Sequence, residues 1–131
     1  MRRALRALEH ILVDSPSYFD LVSENSYHML LLGLVYDIAG YRFPQSNRES
    51  GDGMPDIALE PELENQEPLP AIVIEVKDAY DGPAGLGALS QSALRQAEER
   101  RYRIDLSGAG RLCWGIAFSG KRASCASRRL E

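Results

Sequence analysis

The sequence predicts an α/β fold in which a mixed central sheet is flanked by helices. Residues 54–60, 71–77 and 111–118 alternate in side-chain character with the period of two that strands require. Residues 86–104 repeat apolar positions at helical spacing between the second and third of these strands, and the apolar stretch 21–39 precedes them all. With a short helix and two further strands described below, the order becomes helix, helix, three strands, helix and two strands. It contains an αβββαβ core with an extra N-terminal helix and an extra C-terminal strand.

Length and composition indicate one domain over residues 1–131, in which 1–20 form an N-terminal helix and connector. Of the 131 residues, 44% are hydrophobic and 26% are charged, which suits a protein with an ordinary buried core. No apolar run approaches the ~20 residues that span a bilayer, and the basic start lacks the apolar region of a signal peptide. Two cysteines are too few for a disulfide scaffold or a zinc site. We therefore expect a cytoplasmic protein with reduced thiols and no membrane association.

The charged residues are distributed unevenly along the chain. The net charge is −4, with −1 over residues 1–50, −8 over 51–94 and +5 over 95–131. An acidic centre beside a basic end fits a metal site flanked by a phosphate-binding surface. It fits a chance segregation of surface charge equally well.

Two helices are predicted in the N-terminal part. The first covers residues 3–13 and is amphipathic, because four apolar side chains recur at helical spacing: Leu5, Leu8, Ile11 and Leu12. Asp14 to Ser17 stop it. The second covers residues 21–39 and ends at Gly40. Because this second helix is apolar nearly all round, we expect it to be largely buried.

One side of the second helix carries polar groups that need an explanation. Four residues share a stripe at i, i+3, i+4 and i+7: Glu24, Tyr27, His28 and Leu31. Glu24 and His28 either lie in an exposed first turn, where a carboxylate also favours the helix N-terminus, or the stripe faces the site formed by Asp56 and Glu75. In the second case Glu24 adds an oxygen ligand to the site described next.

The centre of the chain carries the chemistry. Glu75 and Lys77 alternate with apolar residues in 71–77 and therefore project on the same face, and Asp56 can join them if its strand, 54–60, pairs with theirs. Two carboxylates and an ammonium group at a sheet edge can hold a hard divalent cation and activate a water beside it. The alternative is an exposed, salt-bridged sheet surface without catalytic activity.

The segments around these two strands are short or polar. Residues 41–46 form a strand that Pro44 restricts to an edge or a short length, and 47–53 form a turn. In this turn Arg48 either lies at a solvated tip or reaches a phosphate. The acidic, proline-rich stretch 60–70 is a solvated loop.

The C-terminal part supplies a helix and a hairpin. In the helix over 86–104, Gln96 borders a core-facing stripe of apolar residues. Trp114 lies in the strand 111–118 and is expected in the core, while 121–127 return antiparallel after a turn at Ser119 and Gly120. Four basic residues form either a solvated tail or phosphate contacts: Lys121, Arg122, Arg128 and Arg129.

The motifs together resemble those of the PD-(D/E)XK nuclease superfamily, which has the restriction-endonuclease-like fold. Pro55 and Asp56, followed by Glu75-Val76-Lys77, correspond to its signature. Nearly the whole chain is similar to the PD-(D/E)XK domain found C-terminal to AAA-type ATPase-like regions in bacterial and archaeal proteins. Further segments that carry the resemblance are Ser15 to Asp20, Glu24 to His28, Ser46 to Gly51, Gln96 with Tyr102, and Gly115 to Lys121.

The resemblance implies a role for each site residue. Asp56 and Glu75, with the carbonyl of Val76 and a further oxygen from Glu24, would bind Mg²⁺ or Mn²⁺. Lys77 would assist the attacking water and Gln96 would orient that water or a phosphate. Two more residues would contact the substrate: Arg48 and Tyr102.

The implied activity is metal-dependent hydrolysis of phosphodiester bonds in DNA. An ATPase-like region precedes the domain in the family, so this chain is either a stand-alone version or a fragment, and an ATPase region or partner is expected. The alternative is a catalytically silent module of the same fold that binds nucleic acid or an ATPase partner. The sequence contains neither a P-loop nor a Gly-x-Ser-x-Gly elbow, so no motif of these two kinds indicates a different chemistry.

Overall fold

The computed structural model describes residues 24–36, 38–46, 55–64, 68–79, 82, 84–99, 107–120 and 122–130. Within them, the side chains of residues 24–26 and 46 are not described. The predicted helix over 3–13, the predicted turn over 47–53 and the expected substrate contacts of Arg48 and Tyr102 lie outside the described residues.

Seven helices and strands follow one another along the described chain. They are helix α1 (Glu24–Leu34), strands β1 (Gln45–Ser46), β2 (Ile57–Leu59) and β3 (Ala71–Asp78), helix α2 (Leu86–Glu99), and strands β4 (Arg111–Ser119) and β5 (Arg122–Leu130). The predicted α/β class is confirmed. None of the helices in the described ranges has the length and apolar character that crossing a membrane demands.

The five strands form one mixed sheet in the order β1-β2-β3-β4-β5. Strands β1, β2 and β3 pair antiparallel, β3 and β4 pair parallel, and β4 and β5 pair antiparallel. A parallel pair needs a crossover connection, and α2 provides it between β3 and β4. The predicted mixed sheet is therefore present, with the longest strands at its centre and at its β5 edge.

The two helices cover opposite faces of the sheet. Successive residues of β3 point to alternate faces, so Ile74 and Val76 enter one core and Val73 enters the other. Tyr27 and Leu31 of α1 pack with the first pair. On the other face Val73 packs with a cluster from α2, β4 and β5: Leu94, Ala97, Cys113 and Ala126.

Helix α2 lies directly on the sheet because β4 has a glycine beneath it. A Cβ atom at Gly115 would lie 2.8 Å from the carbonyl carbon of Ala93 and closer still to the Leu94 nitrogen and the Ser90 oxygen. Such distances are inside van der Waals contact, so only glycine permits this approach. The register places Gly115 beside Glu75 of β3.

The prediction that α1 is largely buried is wrong. Among the described residues the helix covers Glu24–Leu34, and Met29 remains 56% exposed while Tyr36, just after the helix, is 52% exposed. The sheet covers only the side that presents Tyr27, His28 and Leu31. A helix that packs on one sheet buries one stripe, however apolar its remaining surface is.

Three strands differ in length from their predictions. Only Gln45–Ser46 pairs as a strand within the predicted 41–46, although Tyr41 forms an isolated bridge with Pro61. Strand β2 is reduced to Ile57–Leu59, whereas β5 extends to Leu130. Arg128 and Arg129 are therefore part of a paired strand, and the prediction of a solvated tail is wrong for them. Trp114 is partly buried and packs against the core on the α1 side of the sheet.

Candidate metal centre

Asp56 and Glu75 occupy facing positions where β2 stops pairing with β3. Ile57 pairs with Ile74 in the antiparallel register, so the next position on each strand is Asp56 and Glu75 respectively. Facing positions of an antiparallel pair lie about 5 Å apart and present their side chains on the same face. The sequence predicted that Asp56 would join Glu75 and Lys77 if its strand paired with theirs, and this pairing is present.

The aspartate side chain continues the hydrogen bonding after the ladder stops. Pro55 precedes Asp56 and has no N–H to donate, which limits β2 on this side. The Val76 N–H instead donates to Oδ2 of Asp56 at 2.9 Å. This bond fixes the Asp56 carboxylate against the backbone of the Glu75-Val76-Lys77 segment.

Glu75 is buried beneath α2. Glu75 is only 1% exposed, and Gln96 Nε2 donates a hydrogen bond to Glu75 Oε2 at 3.2 Å. A buried carboxylate loses hydration and depends on hydrogen bonds or nearby positive charge for compensation. The predicted proximity of Gln96 to the site is therefore present, and the group it contacts is the carboxylate itself.

Lys77 shares the face of Glu75 two residues further along β3. It is half-buried, and its register partner on β4 is Ala117. The small neighbour leaves the lysine stem beside the sheet while the strand geometry directs it to the same side as the carboxylate. Asp56, Glu75 and Lys77 thus share one face of the sheet at the carboxyl-terminal half of β3.

The stripe on α1 lies on the other face. Tyr27 stacks on Phe118 with ring centroids 4.4 Å apart, and its hydroxyl donates to the Gly120 carbonyl oxygen at 2.8 Å. His28 is 1% exposed, so the alternative in which it occupies an exposed first turn is wrong. Tyr27 and Leu31 of the stripe pack on Ile74 and Val76, which lie on the face opposite Glu75. The alternative in which the stripe faces Asp56 and Glu75 is therefore wrong for these two residues. Glu24 begins the helix, and its side chain lies outside the described part.

The donor set fits a hard divalent cation. Asp56 and Glu75 supply carboxylate oxygens and Val76 a backbone carbonyl, which are the ligand types that Mg²⁺ and Mn²⁺ prefer. The described residues contain no group of three or more His, Cys, Asp or Glu side chains suited to a metal ion. Glu24, the third carboxylate implied by the resemblance, cannot enter that group because its side chain is not described.

A second charged cluster lies at the opposite end of β3. Glu60 Oε2 accepts from the Ser107 hydroxyl at 2.8 Å, from the Ser107 N–H at 3.1 Å and from Arg42 Nη2 at 3.2 Å. The Ser107 hydroxyl is the main cause that lowers the pKa of Glu60, and desolvation partly opposes it. An open groove of about 370 Å³ lies nearby, lined in part by Pro61, Leu69 and Gly108. Both features belong to the start of β3, away from Glu75.

The sequence analysis did not single out Gly115 as part of the site. An isolated glycine within a strand pattern signals the close approach of another backbone. Its importance follows only from the register with Glu75 and from the position of α2. Gly115 is therefore a supporting residue that sets how closely Gln96 approaches the carboxylate.

Comparisons with protein-family models, with curated proteins and with solved structures found no match for this chain. Its function must therefore be inferred from the residues that the fold brings together.

Proposed function

We propose that this protein is a divalent-metal-dependent nuclease that hydrolyses phosphodiester bonds in DNA. The observation that carries the proposal is the hydrogen bond between the Asp56 carboxylate and the Val76 N–H, at 2.9 Å, beside the buried carboxylate of Glu75. It fixes the Asp56 carboxylate against the strand segment that bears both Glu75 and Lys77.

The two carboxylates and the Val76 carbonyl would hold Mg²⁺ or Mn²⁺. A further oxygen ligand from Glu24 is proposed on the resemblance alone, because Tyr27 and Leu31 of the same stripe lie on the other face of the sheet. Such an ion polarises a phosphate and lowers the pKa of a bound water. Asp56 is fixed by the β3 backbone and Glu75 by Gln96, so neither carboxylate has to reorganise when it binds a cation. Gln96 thus acts as a positioning residue for Glu75.

Lys77 provides the positive charge of the site. Its ammonium group would donate to the attacking water or to a phosphate oxygen on which negative charge develops. Because Lys77 and Glu75 project from the same face, the lysine is placed beside the cation ligands rather than behind the sheet. Arg48 and Tyr102 are proposed to contact the nucleic acid.

The choice of DNA and an ATPase-like region or partner depend on the resemblance to PD-(D/E)XK proteins, whereas the proposed cytoplasmic location depends on the cysteine content of the sequence. The positive charge of residues 95–131 agrees with a polyanionic substrate. Arg122, Arg128 and Arg129 are exposed on β5, where each phosphate contact would make binding more dependent on salt.

The test compares Mn²⁺ binding by calorimetry with plasmid nicking on the same samples. The variants are Asp56→Asn and Glu75→Gln, which retain side-chain volume, and Lys77→Met, which removes the ammonium group. Glu62→Gln is the matched control because Glu62 is an exposed carboxylate outside the site.

We expect both carboxylate variants to lose Mn²⁺ binding and nicking together. Lys77→Met should retain Mn²⁺ and lose nicking, and the control should behave as the wild type. Nicking that persists in all three site variants would contradict the proposal. Mn²⁺ binding by a wild type that cleaves no nucleic acid with any divalent ion would favour the silent module instead.

A further inference from the structure

Arg122 of β5 lies on the same face of the sheet as the candidate metal centre. The register pairs Lys77 with Ala117 on β4 and Ala117 with Ser124 on β5, so these three residues form one row on the α2 face. The next row on that face, towards the carboxyl ends of β3 and β4, contains Ser119 and its partner Arg122. Arg122 therefore lies one row beyond Lys77 and two strands away from it.

The strand geometry gives the spacing of these two cations. Neighbouring strands lie about 4.8 Å apart and residues rise about 3.4 Å along a strand, so the Cα atoms of Lys77 and Arg122 are roughly 12 Å apart. Successive phosphates of one strand of B-DNA advance about 3.4 Å along the helix axis. Arg122 would thus meet the backbone about three to four nucleotides from a phosphate held at Lys77.

The guanidinium group of Arg122 is accessible to a ligand. The residue is exposed, and it forms no hydrogen bond or ion pair with any residue in the described ranges. Its neighbour across the strand pair is Ser119, a small and partly exposed residue that leaves room for a sugar-phosphate backbone. A planar guanidinium group can bind the two oxygens of a phosphate at once, which a point charge cannot do.

The other two arginines of β5 have different surroundings. Arg128 shares the α2 face, but it lies beside the start of β4, and its Nε is 3.6 Å from Oε1 of Glu98. Arg129 lies on the other face of the sheet, and its Nη2 donates to the carbonyl oxygen of Ala109 at 3.4 Å. Neither arginine is positioned to contact nucleic acid whose cleaved phosphate lies at Lys77.

We propose that Arg122 binds a backbone phosphate of the substrate and that Arg128 and Arg129 do not. The inference rests on the proposed nuclease function and adds the path of the substrate. The nucleic acid would run from the metal centre past Lys77, across the carboxyl ends of β3 and β4, to the start of β5. Arg122 would hold the strand in register without touching the reacting atoms.

The test measures DNA binding and cleavage by the full chain. Fluorescence anisotropy with a short labelled DNA duplex gives the affinity at about 50 and 200 mM KCl, with Ca²⁺ in place of Mg²⁺. Plasmid nicking with Mn²⁺ gives kcat and KM. The variants are Arg122→Gln, Arg122→Lys and Arg128→Gln. Arg95→Gln is the matched control, because it removes the same charge from an exposed position on α2.

We expect Arg122→Gln to bind the duplex roughly tenfold more weakly than the wild type at the lower salt concentration. Because one phosphate contact contributes about 0.9 to the salt slope, this difference should shrink about threefold at the higher concentration. Arg122→Lys should retain the wild-type slope. In nicking, Arg122→Gln should raise KM and leave kcat nearly unchanged. Arg128→Gln and Arg95→Gln should follow the wild type.

The outcomes distinguish this inference from the nuclease proposal. A wild type that binds and nicks DNA, with Arg122→Gln indistinguishable from it, would overturn the assignment of Arg122 alone. The assignment would also fail if Arg128→Gln or Arg95→Gln reduced the salt slope as much as Arg122→Gln. A wild type that neither binds nor nicks DNA would overturn both proposals.

Discussion

Replacing Gly115 by alanine should separate α2 from the sheet and disturb the site in a single step. The added Cβ would lie 2.8 Å from the carbonyl carbon of Ala93, whereas ordinary contacts of this kind begin near 3.4 Å. The Leu94 nitrogen and the Ser90 oxygen would be closer still. All three are backbone atoms, which cannot rotate away, so the helix or the strand must shift by about 1 Å.

The size of the effect follows from what that shift disrupts. Overpacking a well-packed core costs about 1–3 kcal/mol, and we expect the upper end because the obstacle is helix backbone. For a chain of this size, about 3 kcal/mol lowers the melting temperature by on the order of 10 °C. The Gln96–Glu75 hydrogen bond, already 3.2 Å long, would exceed hydrogen-bonding distance.

Far-ultraviolet circular dichroism during thermal and urea unfolding measures the stability change, and Mn²⁺ calorimetry measures the effect on the site. Gly87→Ala is the matched control, because Gly87 lies in the same helix and its Cβ would have no heavy atom within 4 Å. Its stability should be unchanged or higher by up to about 1 kcal/mol. If Gly115→Ala were as stable as Gly87→Ala, the close approach of α2 to β4 would be refuted.

Three further predictions follow from individual side chains. Gln96→Leu should weaken Mn²⁺ binding roughly tenfold to 100-fold in calorimetry, because it removes the donor that orients Glu75; unchanged affinity would refute that role. The lowered pKa of Glu60 means that its contribution to stability is present above about pH 4.5 and is lost as the pH falls through the folded-state value. Glu60→Gln should therefore reduce stability by about 1 kcal/mol at pH 7 and flatten the loss seen in acid urea titrations, while Ser107→Ala should show the same trend more weakly. Burial raises the pKa of the Cys113 thiol to about 11, so mass spectrometry should find it unalkylated by iodoacetamide at pH 8 until the protein unfolds.

The central strands could be predicted well because their apolar residues correspond closely to their buried positions. The predicted strand over 71–77 became Ala71–Asp78, and the one over 111–118 became Arg111–Ser119. Both strands lie between two helices, so all of their described positions are at least partly buried. Strand β5 could not be delimited in this way, because its length depends on the pairing of Leu130 with Arg111 across the hairpin.

The burial of α1 illustrates a different limit. Hydropathy shows how apolar a helix is, but it does not show which side the sheet will occupy. The stripe containing Tyr27 and His28 could be identified from its spacing, whereas its packing on the Ile74 face depended on the sheet geometry. A rule that predicts burial from apolar content alone therefore wrongly predicts that the Met29 side of the helix is buried.

The site combines features that the sequence showed with others that it could not show. The proximity of Asp56 to Glu75 followed from strand alternation once the strands paired. The contact of Gln96 with Glu75 depends on the rotation of α2 about its axis. The sequence left that rotation open, because Gln96 only borders the apolar stripe of the helix. The role of Gly115 became evident only from its register with Glu75 and from the position of α2.

Packing and chemistry meet at Glu75. Gly115 lets α2 descend onto the sheet, and the same descent removes Glu75 from water, which costs several kcal/mol for a carboxylate that remains charged. Gln96 of that helix offsets part of the cost, and a lysine two positions along the strand brings positive charge to the same face. A surface salt bridge would need neither the burial nor the helix contact, because exposed carboxylates are solvated at little cost. The burial and the helix contact therefore support the proposed metal site over a sheet surface that merely balances its charges.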